Sequence, residues 1–226
     1  MQLGIPIYTV TLYFGAVVGI ILGTEWAAVH GLAASKVCAA MILLLFPALV
    51  GARLLFVALH WNAFRRHPQG ILRHSQTGAA MYGGLFFALA FSVPLLAMLW
   101  LDWWRFWDAG AIAMLIGMIF TKFGCLWNGC CTGRMMQTRR GGGRFPSQVM
   151  EAWLAIIVLL LSMWGAREPR PGGFLFLSAL AGYGVGRWLL EPARETVDRI
   201  WGISVNRAIS ACLVVLATSA FLFLTR

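Results

Sequence analysis

Seven long apolar runs decide what this chain can be. They fall at about 7–23, 36–60, 83–101, 109–125, 148–163, 172–190 and 203–224. A hydrocarbon core roughly 30 Å thick takes about 20 apolar residues per helix. Lipid offers no hydrogen bonds, so a spanning segment must satisfy its own backbone, as a helix does. The expected fold is therefore an all-α polytopic membrane protein, with about seven transmembrane helices around a central polar cavity reachable from lipid. Only 12% of the residues are charged and 60% are hydrophobic, too little polar surface for a soluble domain. The first run has neither a basic start nor a small-residue cleavage site, so it is expected as the first span and not as a signal peptide. The expected organisation is one membrane domain, 1–226, with longer basic connections at 61–82 and 126–147.

The charge balance narrows the partner. The net charge is +10, and sixteen of the eighteen basic residues are arginine. In a soluble protein this would suggest nucleic acid. Here the cations adjoin apolar spans, so anionic lipid is the expected partner and nucleic acid is not. Arginine also offers a planar fork that matches phosphate. Five cysteines are too scattered for a disulfide framework. Cys38 and Cys212 lie inside spans and read as small apolar residues. Cys125, Cys130 and Cys131 have no histidine at ligand spacing, so no metal and no cofactor is expected.

Several polar residues lie where apolar ones should. The stretch from Thr121 to Gln148 leaves one span, collects Arg134, Arg139, Arg140 and Arg144 among glycines, and re-enters the next through Pro146 and Ser147. It reads as a cradle for an anionic headgroup. Arg53 lies deep in the second run, which is costly unless it faces the bundle interior. Gly51 and Ala52 before it would let another element approach closely. The Gly83–Gly84 pair suits close approach of a ligand or plain helix packing. Arg187, Glu191 and Arg194 are spaced i, i+4, i+7, a stripe of plus, minus, plus that should face inward. Residues 101–108 read as a short interfacial turn with tryptophan anchors. Residues 167–171 read as another turn, without evident chemistry.

At this point a family resemblance carries further. Gly51-Ala52-Arg53, Gly83-Gly84-Leu85, Asn128-Gly129 with Gly133-Arg134, Phe145-Pro146-Ser147-Gln148 with Glu151, Tyr183-Gly184 with Arg187, Glu191 and Arg194, and Gly202-Ile203-Ser204 stand in order. Together they resemble the prolipoprotein diacylglyceryl transferase family, from about residue 50 to residue 210. The resemblance implies a bacterial inner-membrane, multi-pass enzyme. It would move the diacylglyceryl group of phosphatidylglycerol onto the lipobox cysteine thiol of a secreted lipoprotein precursor, releasing glycerol phosphate. The family's phosphate-binding arginines fall on Arg187 and on Lys122. Tyr82 stands where the family has His, Lys122 where it has Arg, Cys125 where it has Asn, and Cys130 where it has an acid.

The reaction needs two things. The thiol must lose its proton, because the thiolate is the nucleophile. The leaving phosphate must be held by fixed cations in a dry site. Arg187, Tyr82, Lys122 and Glu151 are the expected catalytic residues. Arg53, Gly83, Gly84, Asn128, Arg134, Tyr183, Glu191 and Arg194 are the expected phosphatidylglycerol contacts. The base is left open among Tyr82, Tyr183 and Glu151. Two rivals stand beside this reading: a related transferase that uses the same donor on another acceptor, and a non-catalytic lipid-binding or transport protein. The loops after spans two, four and six carry most of the cations, which the positive-inside rule would put in the cytoplasm; the resemblance puts them outside.

Overall fold

The computed structural model describes residues 7–65, 81–130, 132–138, 141–168, 170–194, 199–200 and 203–224. Arg66, His67, Arg73, His74, Cys131, Arg139, Arg140, Glu195, Asp198 and Gly202 lie outside the described residues. The helices are α1 (Ile7–Val29), α2 (Ala34–Leu59), the single turn α3 (Trp61–Phe64), α4 (Met81–Leu99), α5 (Trp103–Asn128), α6 (Ser147–Gly165), α7 (Phe174–Leu190) and α8 (Val205–Leu224). Six of them are long and apolar enough to cross a membrane. Helix α7, with seventeen residues, is the shortest of the seven long helices. The chain is an all-α multi-pass membrane protein, as the apolar runs predict.

Two antiparallel ribbons appear where only loops were expected. Strands β1 (Met135–Thr138) and β2 (Gly141–Arg144) form a hairpin, with Met135 opposite Arg144. Strands β3 (Arg199–Ile200) and β4 (Ile203–Ser204) form a second, minimal pair. A second difference concerns residues 101–108. These are not a turn: α5 begins at Trp103, and Asp108 is buried within its second turn. Asp108 Oδ2 accepts from the N–H of Gly173, and Oδ1 from the N–H of Phe176, both at 2.8 Å. One carboxylate thus satisfies donors that the first turn of α7 leaves orphaned. A cap supplied from 65 residues away leaves no local sequence signal.

The chain divides into two compact units, residues 32–103 and residues 1–31 with 104–226. The first holds α2 and α4, which cross through glycine. A Cβ added at Gly51 would lie 2.5 Å from the carbonyl oxygen of Gly83, and one at Gly84 2.9 Å from that of Ala48. Small residues let the two backbones touch, the usual device for helix association in lipid. Gly83 and Gly84 therefore turn one face to α2, which decides between ligand approach and packing for that face. In the other unit, α1 buries Gly15, Gly19, Gly23 and Ala27 at four-residue spacing. Helices α5, α6, α7 and α8 complete that unit and carry the polar cluster described next.

Candidate functional site

Four segments bring charge to one place. Lys122 comes from the last two turns of α5 and Glu151 from the first turns of α6. Arg187 comes from the last turn of α7. Arg194 follows the 3₁₀ turn Glu191–Ala193. Glu151 is the hub. Its Oε2 pairs with Lys122 Nζ, and its Oε1 lies 2.7 Å from Arg194 Nη1 and 3.6 Å from Arg187 Nη1. Arg187 Nη1 also lies 3.0 Å from Glu191 Oε2. Glu191 Oε1 accepts from Ser204 Oγ and from Asn206 Nδ2, each at 3.0 Å, so α8 and its approach fix the second carboxylate.

Burial makes this arrangement costly. Glu151, Glu191 and Arg187 are 2%, 1% and 6% exposed. Charges removed from water recover the desolvation cost only with good pairing, and a hydrophobic replacement is often as stable. Such a cluster is weak evidence for stability and a good candidate for function. Among the described residues, three cations (Lys122, Arg187, Arg194) face two carboxylates (Glu151, Glu191), one positive charge more than negative. Arg187 Nη1 is buried without an aligned hydrogen bond, although two carboxylates lie near it. The positive balance of these described groups suits one added anion.

The β-hairpin sets the position of Arg194. Gly133 N–H donates to Phe145 O at 3.0 Å, Phe145 N–H to Arg134 O at 3.1 Å, and Arg134 N–H to Ala193 O at 2.9 Å. Gly133 bridges Arg194, and a Cβ there would strike Phe145 and Ala193. Gln148 Nε2 donates to Cys130 O at 2.7 Å and ties the end of the α5 segment to α6.

Some expected residues lie elsewhere. Arg134 is expected to add its guanidinium to the cations; its side chain is exposed, and its backbone joins Phe145 and Ala193. Asn128 is the exposed last residue of α5. Tyr183 is buried one turn before Arg187. Arg53, Tyr82, Gly83 and Gly84 belong to the unit of residues 32–103. There the Arg53 guanidinium lies 5.6 Å from the ring centroids of both Phe56 and Phe64, a cation–π contact with each. The i, i+4, i+7 stripe also needs correction. Helix α7 ends at Leu190, so Arg194 lies beyond it on extended backbone and pairs with another helix. Glu151, one of the three candidate bases, has its two oxygens facing three cations. Sequence reading did not foresee Asn206 as an anchor of Glu191; a polar residue one turn into an apolar run was the available signal.

The sequence profile of the prolipoprotein diacylglyceryl transferase family matches residues 1–224. The chain belongs to that family. Among its relatives are proteins named phosphatidylglycerol–prolipoprotein diacylglyceryl transferase from Streptococcus pyogenes serotype M5 (strain Manfredo) and serotype M49 (strain NZ131). Each is 26% identical to it over 234 residues, which cover 95% of this chain and 88% of the relative. The chain is thus a transferase, and its cation cluster lies in a membrane protein of a family that handles lipid.

Proposed function

We propose that the enzyme transfers the diacylglyceryl group of phosphatidylglycerol to the lipobox cysteine thiol of secreted lipoprotein precursors in the bacterial inner membrane. The observation that supports this most is the meeting of Lys122, Arg187 and Arg194 on Glu151, with one positive charge in excess among the described residues. A phosphodiester headgroup carries one negative charge, which matches that excess.

In this reading the cysteine thiolate attacks the glyceryl carbon that bears the phosphate. A C–S bond forms, the C–O bond breaks, and its electron pair leaves on the phosphate oxygen. The product phosphate gains negative charge as it departs. Fixed cations in a dry site stabilise that developing charge without reorganising. Lys122 and Arg187 hold the phosphate, Glu151 holds both in place, and Glu191 orients Arg187 through its tie to α8. The thiol proton goes to a base, for which buried Tyr183 is the candidate nearest in sequence to Arg187. Tyr82 and Lys122 stand where the resemblance has His and Arg. These departures favour, as a second reading, the same donor with a different acceptor.

The test is purified protein with headgroup-labelled phosphatidylglycerol and a lipobox peptide. Labelled glycerol phosphate should appear together with a peptide heavier by one diacylglyceryl group. Arg187→Ala should lower the rate by roughly 100-fold or more, the scale of losing a transition-state charge contact. Release of glycerol phosphate with a different acceptor only would support the second reading. A folded protein that releases none with any thiol acceptor would overturn both.

A further inference from the structure

The opposite ends of the same helices carry a second basic site that the transfer reaction does not use. A cleft of about 300 Å³ is lined by Trp26 of α1 and His30 just after it, Arg105 of α5, and Arg167, Arg170 and Gly172 between α6 and α7, among others. Arg105 and Lys122 are seventeen residues apart on α5, about 25 Å along the axis at 1.5 Å per residue. That is close to the roughly 30 Å of a hydrocarbon core. The cleft and the Glu151 cluster therefore belong to opposite leaflets, and one headgroup cannot serve both.

The cleft is built rather than incidental. Gly173 has φ 92°, and a Cβ there would lie 2.5 Å from the Trp104 ring, so the α6–α7 turn is moulded on α5. Asp108 reinforces this by taking the N–H groups of Gly173 and Phe176. Asp108 also lines the cleft, with its two oxygens accepting from the N-terminus of α7. The charged lining is Arg105, Arg167 and Arg170 against Asp108 and Glu168, one positive charge more than negative, and the Asp108 carboxylate is engaged by the N–H groups of Gly173 and Phe176. Arg105 donates to His30 O at 3.3 Å, which keeps its side chain at the α1 end. Arg170 lies 5.4 Å from the Phe174 ring centroid, and His30 stacks on Trp26 at 3.8 Å. Arginines beside aromatic rings at the end of apolar helices form the chemistry of a phosphate at headgroup depth.

We propose that this cleft binds a phosphate group on the face opposite the transfer site, with Arg167 and Arg170 as its principal ligands. The phosphate comes from an anionic phospholipid headgroup of that leaflet or from a soluble phosphate. The proposal goes beyond the transfer reaction, and it would stand if the acceptor of that reaction were different.

Native mass spectrometry of the full chain, released from detergent in the presence of phosphatidylglycerol, tests it. The unaltered protein should retain two lipids. Arg167→Ala/Arg170→Ala should retain one while turning over at the unaltered rate. Arg167→Lys/Arg170→Lys should keep the second lipid, which separates loss of charge from loss of fold. Addition of millimolar inorganic phosphate distinguishes the sources: release of the second lipid shows that a soluble phosphate fits, and its retention shows that the lipid headgroup is required. Equal lipid retention by the unaltered and the alanine protein would overturn the proposal, as would loss of turnover in the alanine protein together with the lipid.

Discussion

Glu151 shows how a single residue can define a site. Its carboxylate is buried, and it touches cations from three other segments. Removing one member of a buried charge network leaves the others uncompensated, typically at a cost of about 3–5 kcal/mol. Glu151→Gln keeps the volume and removes the charge. It should lower the thermal midpoint in detergent and also depress transfer, because Lys122 and Arg187 would no longer be held together. A Glu151→Gln protein as stable and as active as the original would show that the carboxylate is not the hub. At this scale the sequence was partly legible. Periodicity pairs Arg187 with Glu191, and the structure has that pair at 3.0 Å. It could not pair Lys122 or Arg194 with Glu151, since helical spacing reports neighbours on one helix and says nothing across the bundle. It also carried Arg194 onto a helix that stops at Leu190.

At the level of elements, small residues and distant caps decide how helices meet. The α2–α4 crossing places backbone against backbone at Gly51 and Gly83. Gly51→Ala would push a methyl group into a carbonyl that cannot move aside alone. Such overpacking costs about 1–3 kcal/mol. The variant should therefore melt earlier in detergent; equal midpoints for Gly51→Ala and the unaltered protein would contradict the crossing. Hydropathy located the seven long helices because each is an apolar run, six of them of membrane length. It misplaced the start of α5, because the tryptophans and charges of residues 103–108 resemble an interfacial turn. The helix there is stabilised by what Asp108 does for α7, a contact made in three dimensions. The β-hairpin was hidden for a similar reason: a glycine-rich, arginine-rich segment has no alternation, and its strands are fixed by docking on Phe145 and Ala193.

The whole molecule is a multi-pass transferase whose polar chemistry is concentrated at helix ends. The ends of α5, α6 and α7 that carry Lys122, Glu151 and Arg187 lie on one face, by alternation of the spans. Under the proposed transfer to secreted precursors, that face should lie outside despite its cations. Cys130 is exposed at this end of α5. In a variant whose other four cysteines are alanine, a membrane-impermeant maleimide should label Cys130 in intact cells. Labelling only after permeabilisation would reverse the orientation and put the positive-inside rule back in force.

The central claim is that Lys122 and Arg187 grip one and the same phosphate. A double-mutant cycle on glycerol phosphate release, with Lys122→Ala, Arg187→Ala and the pair, measures this. Shared grip predicts that the double variant loses less than the product of the single losses, with a coupling of about 1 kcal/mol or more. Losses that multiply without coupling would contradict it, since each cation would then act on its own.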